Sequence, residues 1–209
     1  LYRGTNSFPL LAVPLFILAG SIMNHSGISA RLVDFARALV GSMRGGLAAV
    51  NVVTSMFFAG MSGTSMSDTA AVGGVMIPQM IKRGYSRAFS AAVTASSSTI
   101  GIIIPPSVPM VILAAYMGIS TGALFAAGLL SGLLLGFGLV LVAWLVSVRR
   151  NYPTEEPFRF GQALRTLASA APALMMPVIV LGGILGGIFT PTEASAIAPI
   201  GIALSVWLV

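Results

Sequence analysis

From Ala88 to Val148 the chain carries no charged residue, and further uncharged runs cover Gly4–Ala30, Gly45–Ser67 and Thr166–Thr192. A helix crossing a bilayer needs about 20 predominantly apolar residues, and these runs supply them several times over. Charged residues make up 8% of the sequence, against about 25% in soluble domains. The chain therefore reads as an all-α polytopic membrane protein with no soluble domain.

The net charge of +6 suggests nucleic acid until the cations are placed. Ten of the eleven fall in three clusters between the apolar runs: Arg31/Arg37/Arg44, Lys82/Arg83/Arg87 and Arg149/Arg150/Arg159/Arg165. That is the pattern of cytoplasmic loops, so the excess charge reports orientation rather than a polyanionic partner. Cysteine is absent, which excludes a disulfide framework and a thiolate metal site. The sequence opens at Leu1 and stops at Val209 within an apolar run, and so reads as an internal fragment of a longer protein.

The loop charges thread the chain. A first span runs from about Phe8 to Met23, with Pro9 and Pro14 in its first half. Gly27 then opens an amphipathic helix: Leu32, Val33, Phe35, Ala36, Leu39 and Val40 share one face, and Arg31, Asp34, Arg37 and Arg44 the other. It is expected to lie along the cytoplasmic interface. A single crossing by Gly45–Ile81 would put the first two basic clusters on opposite sides, against the positive-inside rule. Two full crossings do not fit either. Gly46–Ala59 and Thr69–Ile81 reach only ~20 Å each, short of the ~30 Å core.

A re-entrant helical hairpin over about 46–81 meets both constraints, with the polar residues 60–68 at its tip. Ser65 or Ser67 is expected to cap the second arm, with Asp68 at its positive end. The next span, about 88–117, contains Pro105, Pro106 and Pro109. These remove backbone donors and push Ile104 out of the α region, so the helix is expected to break near Gly101–Pro106 and leave free carbonyls and N–H groups. Spans follow over about 122–148 and 168–189, joined by a cytoplasmic connector over 149–165 that contains Pro153 and Pro157. Gly182-Gly183 and Gly186-Gly187 have small-xxx-small spacing for close helix packing. Thr190-Pro191-Thr192-Glu193 matches a capping box that opens a last helix.

A hairpin tip and a broken helix near mid-membrane are the parts from which secondary transporters build substrate and cation sites. Hydroxyls, carbonyls and one carboxylate suit a hard ion such as Na⁺, and a lining without cysteine or histidine argues against a soft transition metal. Ser62–Ser67 and Ser96–Thr99 are the expected oxygen donors, with Asp68 either a ligand or a brace for the tip. Two other classes compete. Gly60-Met61-Ser62-Gly63 fits the short G-x-S-G pattern of intramembrane serine proteases, whose serine needs a general base; the sole histidine, His25, precedes it, where rhomboid proteases place theirs later. A passive scaffold subunit is disfavoured, because buried polar segments are costly without a use.

Five stretches together carry a specific resemblance: Ser7–Phe16, Leu32–Arg37, the hairpin tip, Ser98–Met110 and Gly182–Ala194. With them the chain resembles the large membrane (DctM-like) subunit of tripartite ATP-independent periplasmic, or TRAP, transporters. The resemblance implies a Na⁺-coupled, elevator-type importer of organic acid anions in a bacterial inner membrane, built from two inverted repeats. Residues 1–148 would hold most of the first repeat, 149–165 the connector and 166–209 the start of the second. Partners implied are a small (DctQ-like) membrane subunit, a periplasmic solute-binding protein and the lipid bilayer. No tightly bound cofactor is implied; Na⁺ is the coupling ion.

The same resemblance assigns Ser62, Gly63, Thr64, Ser65, Pro105 and Pro106 to the substrate wall. It assigns Ser62, Ser65, Asp68, Ser98, Thr99 and Gly101 to a Na⁺ site. The tip reads Gly63-Thr64-Ser65-Met66-Ser67-Asp68 where the family suggests a Gly-Ser-small-small-Ala-Asp pattern. The substrate stays open among C4-dicarboxylates, sialic acids, keto acids and other carboxylates.

Overall fold

The computed structural model describes residues 8–154 and 159–207. Ser7 and Pro157 lie outside the described residues, as do the side chains of Pro9 and His25. The described residues form nine α-helices and no strand: α1 Ala12–His25, α2 Ile28–Val40, α3 Gly46–Ser62, α4 Ser65–Lys82, α5 Arg87–Ser98, α6 Val108–Met117, α7 Thr121–Arg149, α8 Phe160–Leu185 and α9 Pro191–Trp207. Short 3-10 turns precede α1 (Phe8–Leu11) and follow α5 (Thr99–Ile102). Helices α7 and α8 are each long and apolar enough to cross a membrane alone.

Gly27, at φ 75°, ends α1 and starts α2, and the two helices meet at 74°. The amphipathic pattern explains the bend: α2 buries Leu32, Val33, Phe35 and Ala36 on one face and leaves Asp34 exposed. Two details differ from expectation. Leu39 is exposed, having rotated off the buried face near the helix end. Arg37, placed on the polar face, is partly buried and donates to Gln79 Oε1 of α4, so it makes a helix–helix contact.

Helices α3 and α4 form the hairpin. Only Gly63 and Thr64 are non-helical between them, so the arms are longer than the expected 46–59 and 69–81. The polar residues 60–62 and 65–68 stay helical because their backbone bonds close within the arms. At 1.5 Å per residue arms of 17 and 18 residues reach about 25 and 27 Å, still short of the ~30 Å core.

Both feet of the hairpin sit at the C-terminal end of α7. Gly45 N–H donates to Pro153 O (3.3 Å), and a Cβ on Gly45 would lie 2.0 Å from Ser147 Cβ. Tyr85, just past α4, stacks on Tyr152 with ring centroids 4.2 Å apart. The basic residues Arg44, Lys82, Arg83, Arg149 and Arg150 therefore gather at one end of the bundle.

The other end of the hairpin is set by three glycines of α7 on one face. Gly136 packs on Met56, Gly132 on Ile104, and Gly128 on Ile103 and Met110. The interrupted helix thus lies level with Gly128–Gly132, about 10 Å inside the Thr121 end of α7 at 1.5 Å per residue. The hairpin enters and leaves on the basic side and stops short of the opposite one.

Helix α8 starts at Phe160, before the expected end of the connector, and takes Arg165 into its first turns. Among the described residues, Gly182, Gly183, Gly186 and Gly187 make no close contact with a neighbouring helix. A Cβ on Gly183 would meet the Phe189 ring at 2.2 Å, Gly182 has nothing within 4 Å, and Gly187 at φ 71° turns the chain away. They close the helix instead. The capping box forms as expected: Thr190 N–H donates to Glu193 Oε2 (2.8 Å) and Glu193 N–H to Thr190 Oγ1 (3.3 Å).

Candidate functional site

The tip rests directly on the interrupted helix. Gly63, at φ 63°, has its α-carbon so close to the break that a Cβ would lie 2.7 Å from Pro106 O. A Cβ on Gly101 would lie 3.1 Å from Thr64 O. Val108 N–H donates across the junction to Gly63 O (3.2 Å).

Part of the backbone at the break is paired again. Ser107 Oγ donates to Ile102 O (2.7 Å) and accepts from Met110 N–H (3.4 Å). Ile100 O accepts from Ile103 and Ile104 N–H, both at 2.9 Å. Pro105 and Pro106 are buried and joined by a cis peptide.

Helix α4 is capped by Thr64, whose Oγ1 accepts from Ser67 N–H (3.3 Å). Ser65 and Ser67 were the expected caps. They fall inside the helix because the turn consumes only two residues. Asp68 sits in the first turn of α4, where the helix dipole favours an anion, and is completely buried. The hydroxyls of Ser98 and Ser55 face its carboxylate. Neither meets it with aligned hydrogen-bond geometry: both Asp68 oxygens and Ser98 Oγ lack a hydrogen-bond partner among the described residues.

The structure divides the predicted residues between two places. Ser98 and Asp68 come together in a buried polar cluster. Ser62 and Thr64 line a separate cleft of about 380 Å³ facing α1, with Ile17, Ser21, Met66 and Ser67. Ser62 Oγ donates to Thr64 O (3.3 Å). Ser65 is half-buried beside the break, its Cα 3.5 Å from where a Cβ on Gly101 would stand, and its carbonyl accepts from Thr69 Oγ1 (2.8 Å). Thr99 is exposed and donates to Ser96 O (2.7 Å), so its hydroxyl is directed away from Asp68. Gly101, Pro105 and Pro106 form the seam between tip and break.

Sequence reading missed the residues behind Asp68. Asn51, Thr54 and Ser55 of α3 are all completely buried. Asn51 Nδ2 donates to Thr94 Oγ1 (2.7 Å), and Ser55 and Ser97 Oγ are 3.0 Å apart. A signal was present: positions 51, 54 and 55 are i, i+3 and i+4, one face of an otherwise apolar helix, and Ser90, Thr94 and Ser97 form the matching stripe on α5.

The cluster has the donor chemistry of a small hard cation site: the Asp68 carboxylate and the Ser98 hydroxyl, both without a partner among the described residues, and the Ser55 hydroxyl beside them. Among the described residues no three His, Cys, Asp or Glu side chains cluster in the manner of a transition-metal site.

Fold and site define a helical, multi-pass membrane protein whose polar centre lies between a helical hairpin and an interrupted helix. The family described as "Tripartite ATP-independent periplasmic transporter, DctM component" matches residues 1–209, and the chain belongs to it. It is 46% identical over 198 residues to the uncharacterized protein YgiK of Salmonella typhimurium, covering 94% of this chain and 46% of that one. It is 42% identical over 193 residues to the C4-dicarboxylate TRAP transporter large permease protein DctM of Vibrio cholerae (92% and 43% covered). To the 2,3-diketo-L-gulonate TRAP transporter large permease protein YiaN of Escherichia coli it is 41% identical over 198 residues (95% and 47% covered).

The chain spans about half the length of these relatives. Family membership bears out the resemblance and places the chain in the bacterial inner membrane. It also sets aside the serine-protease reading of Gly60–Gly63, since the family consists of permeases rather than enzymes.

Proposed function

We propose that this chain forms one half of the large permease subunit of a Na⁺-coupled importer of organic acid anions. Its partners in this reading are a small membrane subunit and a periplasmic solute-binding protein, as in the TRAP systems to which it is similar. The substrates for which two relatives are named, C4-dicarboxylate and 2,3-diketo-L-gulonate, keep the class at small carboxylates. The observation that carries the cation half of the reading is Asp68: fully buried, both oxygens without a hydrogen-bond partner among the described residues, and faced by Ser98 and Ser55.

A buried carboxylate without a partner is strongly destabilising, and a bound cation supplies the missing positive charge. The chain's own residues do the rest. Thr64 fixes the start of α4, the dipole of that helix supports Asp68, and Val108 N–H ties the tip to the break. Loading the cluster thereby firms the junction between Gly63 and Pro106. In this reading that junction forms one wall of the substrate site, beside the cleft lined by Ser62 and Thr64. Moving the tip relative to the break would open it.

Substrate uptake by the complete complex in proteoliposomes, with and without an inward Na⁺ gradient, tests this. Wild-type uptake should require Na⁺, and Asp68→Asn should lose most of the Na⁺-driven rate. Equal uptake in K⁺ and Na⁺ by the wild type, or an unaffected Asp68→Asn, would remove the proposal. A non-transporting scaffold predicts no flux in any condition.

A further inference from the structure

The hydroxyls behind Asp68 form a bonded set in which donor direction matters. Each hydroxyl has a single proton to give. Thr94 Oγ1 donates to Ser90 O (2.9 Å) and accepts from Asn51 Nδ2 (2.7 Å), so its proton is committed. Ser97 Oγ has two acceptors within reach: Thr94 O at 3.1 Å and Ser55 Oγ at 3.0 Å. Ser55 likewise stands between Ser97 Oγ and the Asp68 carboxylate. Two arrangements follow. When Ser97 donates to Thr94 O, Ser55 donates to Ser97 and shows only lone pairs to Asp68. When Ser97 donates to Ser55, the Ser55 proton is released toward the carboxylate.

The first arrangement presents oxygen lone pairs beside a carboxylate, which suits a cation and is repulsive without one. The second suits the bare carboxylate: Ser55, which faces it without an aligned bond in the structure, turns toward it and gives a charge-assisted hydrogen bond. We propose that Ser55 and Ser97 form a reversible hydroxyl relay that switches Ser55 between acceptor and donor toward Asp68 as a cation binds and leaves. Ser97 is a positioning residue in this device, acting through Ser55 and not touching the ion. The Asn51–Thr94 bond holds α3 to α5 and keeps the pair in register. Both serines are fully buried, so water does not compete for their protons. The relay rests on the cation reading above and adds to it the group that sets the affinity.

The test is Na⁺-specific thermal stabilisation of the full-length purified permease, titrated in K⁺ at constant ionic strength. Without Ser97 as acceptor, the Ser55 proton has only the carboxylate to go to and opposes the ion. Ser97→Ala should raise the Na⁺ concentration for half-maximal stabilisation about five- to tenfold, the effect of one net hydrogen bond. Ser97→Thr, which keeps the hydroxyl, should restore it to within about twofold of wild type on the same reasoning.

Ser55→Ala should also raise it, and the double variant should be no worse than Ser55→Ala, because Ser97 acts only through Ser55. If Ser97→Ala does not fold, Ser97→Cys keeps the volume with a weaker acceptor and should show the same direction. An unmoved Na⁺ midpoint in the Ser97 variants, or additive effects in the double variant, would overturn the relay. A wild-type protein equally stabilised by Na⁺ and K⁺ would overturn the cation reading itself.

Discussion

Gly63 and Gly118 have nearly the same backbone, φ 63° and 65°, but different surroundings, and together they isolate what the tip–break contact is worth. An alanine at either position is held in the left-handed region at a cost of about 1–2 kcal/mol. At Gly118 nothing lies within 4 Å of the added Cβ, so strain is the whole effect. At Gly63 the Cβ would stand 2.7 Å from Pro106 O and 3.4 Å from Val108 N. These are backbone atoms and cannot rotate away.

Displacing them adds roughly 1–3 kcal/mol for overpacking, and losing the Val108–Gly63 hydrogen bond adds ~1 kcal/mol. Gly63→Ala should therefore cost about 3–6 kcal/mol, from the sum of these contributions, and Gly118→Ala only about 1–2 kcal/mol. Thermal unfolding of the full-length permease in detergent reads both, and Na⁺-driven uptake should fall sharply for Gly63→Ala alone. Equal destabilisation of the two variants would refute the claim that the tip is seated on the break.

Other expectations concern the supports of the site. Gly128→Ala should destabilise more than Gly136→Ala, because its Cβ meets the Ile103 carbonyl at 2.6 Å whereas Gly136 meets only the mobile Met56 side chain; melting temperatures decide it. Tyr152→Phe removes hydroxyl contacts to Ser86 and should be nearly silent. Tyr152→Ala loses the stacks on Tyr85 and Phe89 and should cost ~1–3 kcal/mol, seen as earlier proteolysis near the hairpin feet. Glu193→Ala removes the capping box and should fray the start of α9 in hydrogen exchange without changing the Na⁺ dependence of uptake.

Much of the architecture was legible because charge and hydropathy act over long stretches. The position of Lys82/Arg83/Arg87 against Arg31/Arg37/Arg44 was enough to require a hairpin, and Pro105-Pro106 enough to require a break. Local endings were less legible. Thr64 took the cap because the turn closed in two residues, a geometry that depends on Gly63 reaching Pro106 across the fold.

The glycines of α8 matched a packing motif but close the helix, while Gly128, Gly132 and Gly136, at the same four-residue spacing, do the packing. At the site, Asp68 stood out as a lone acid. Asn51, Thr54 and Ser55 did not, although they share one face of α3, because that face acquires its meaning only when Thr94 and Ser97 are found opposite it. Thr99 shows the converse: adjacent to Ser98 in sequence, it lies about 100° around the helix and faces out.

The central claim, that Asp68 with Ser98 and Ser55 holds the coupling ion, is tested most directly by equilibrium binding of radiolabelled Na⁺ to the full-length permease and its Asp68→Asn variant. Saturable binding that disappears at physiological Na⁺ in Asp68→Asn, while the variant remains folded and monodisperse, is the predicted result. Undiminished Na⁺ binding by the folded variant would contradict it.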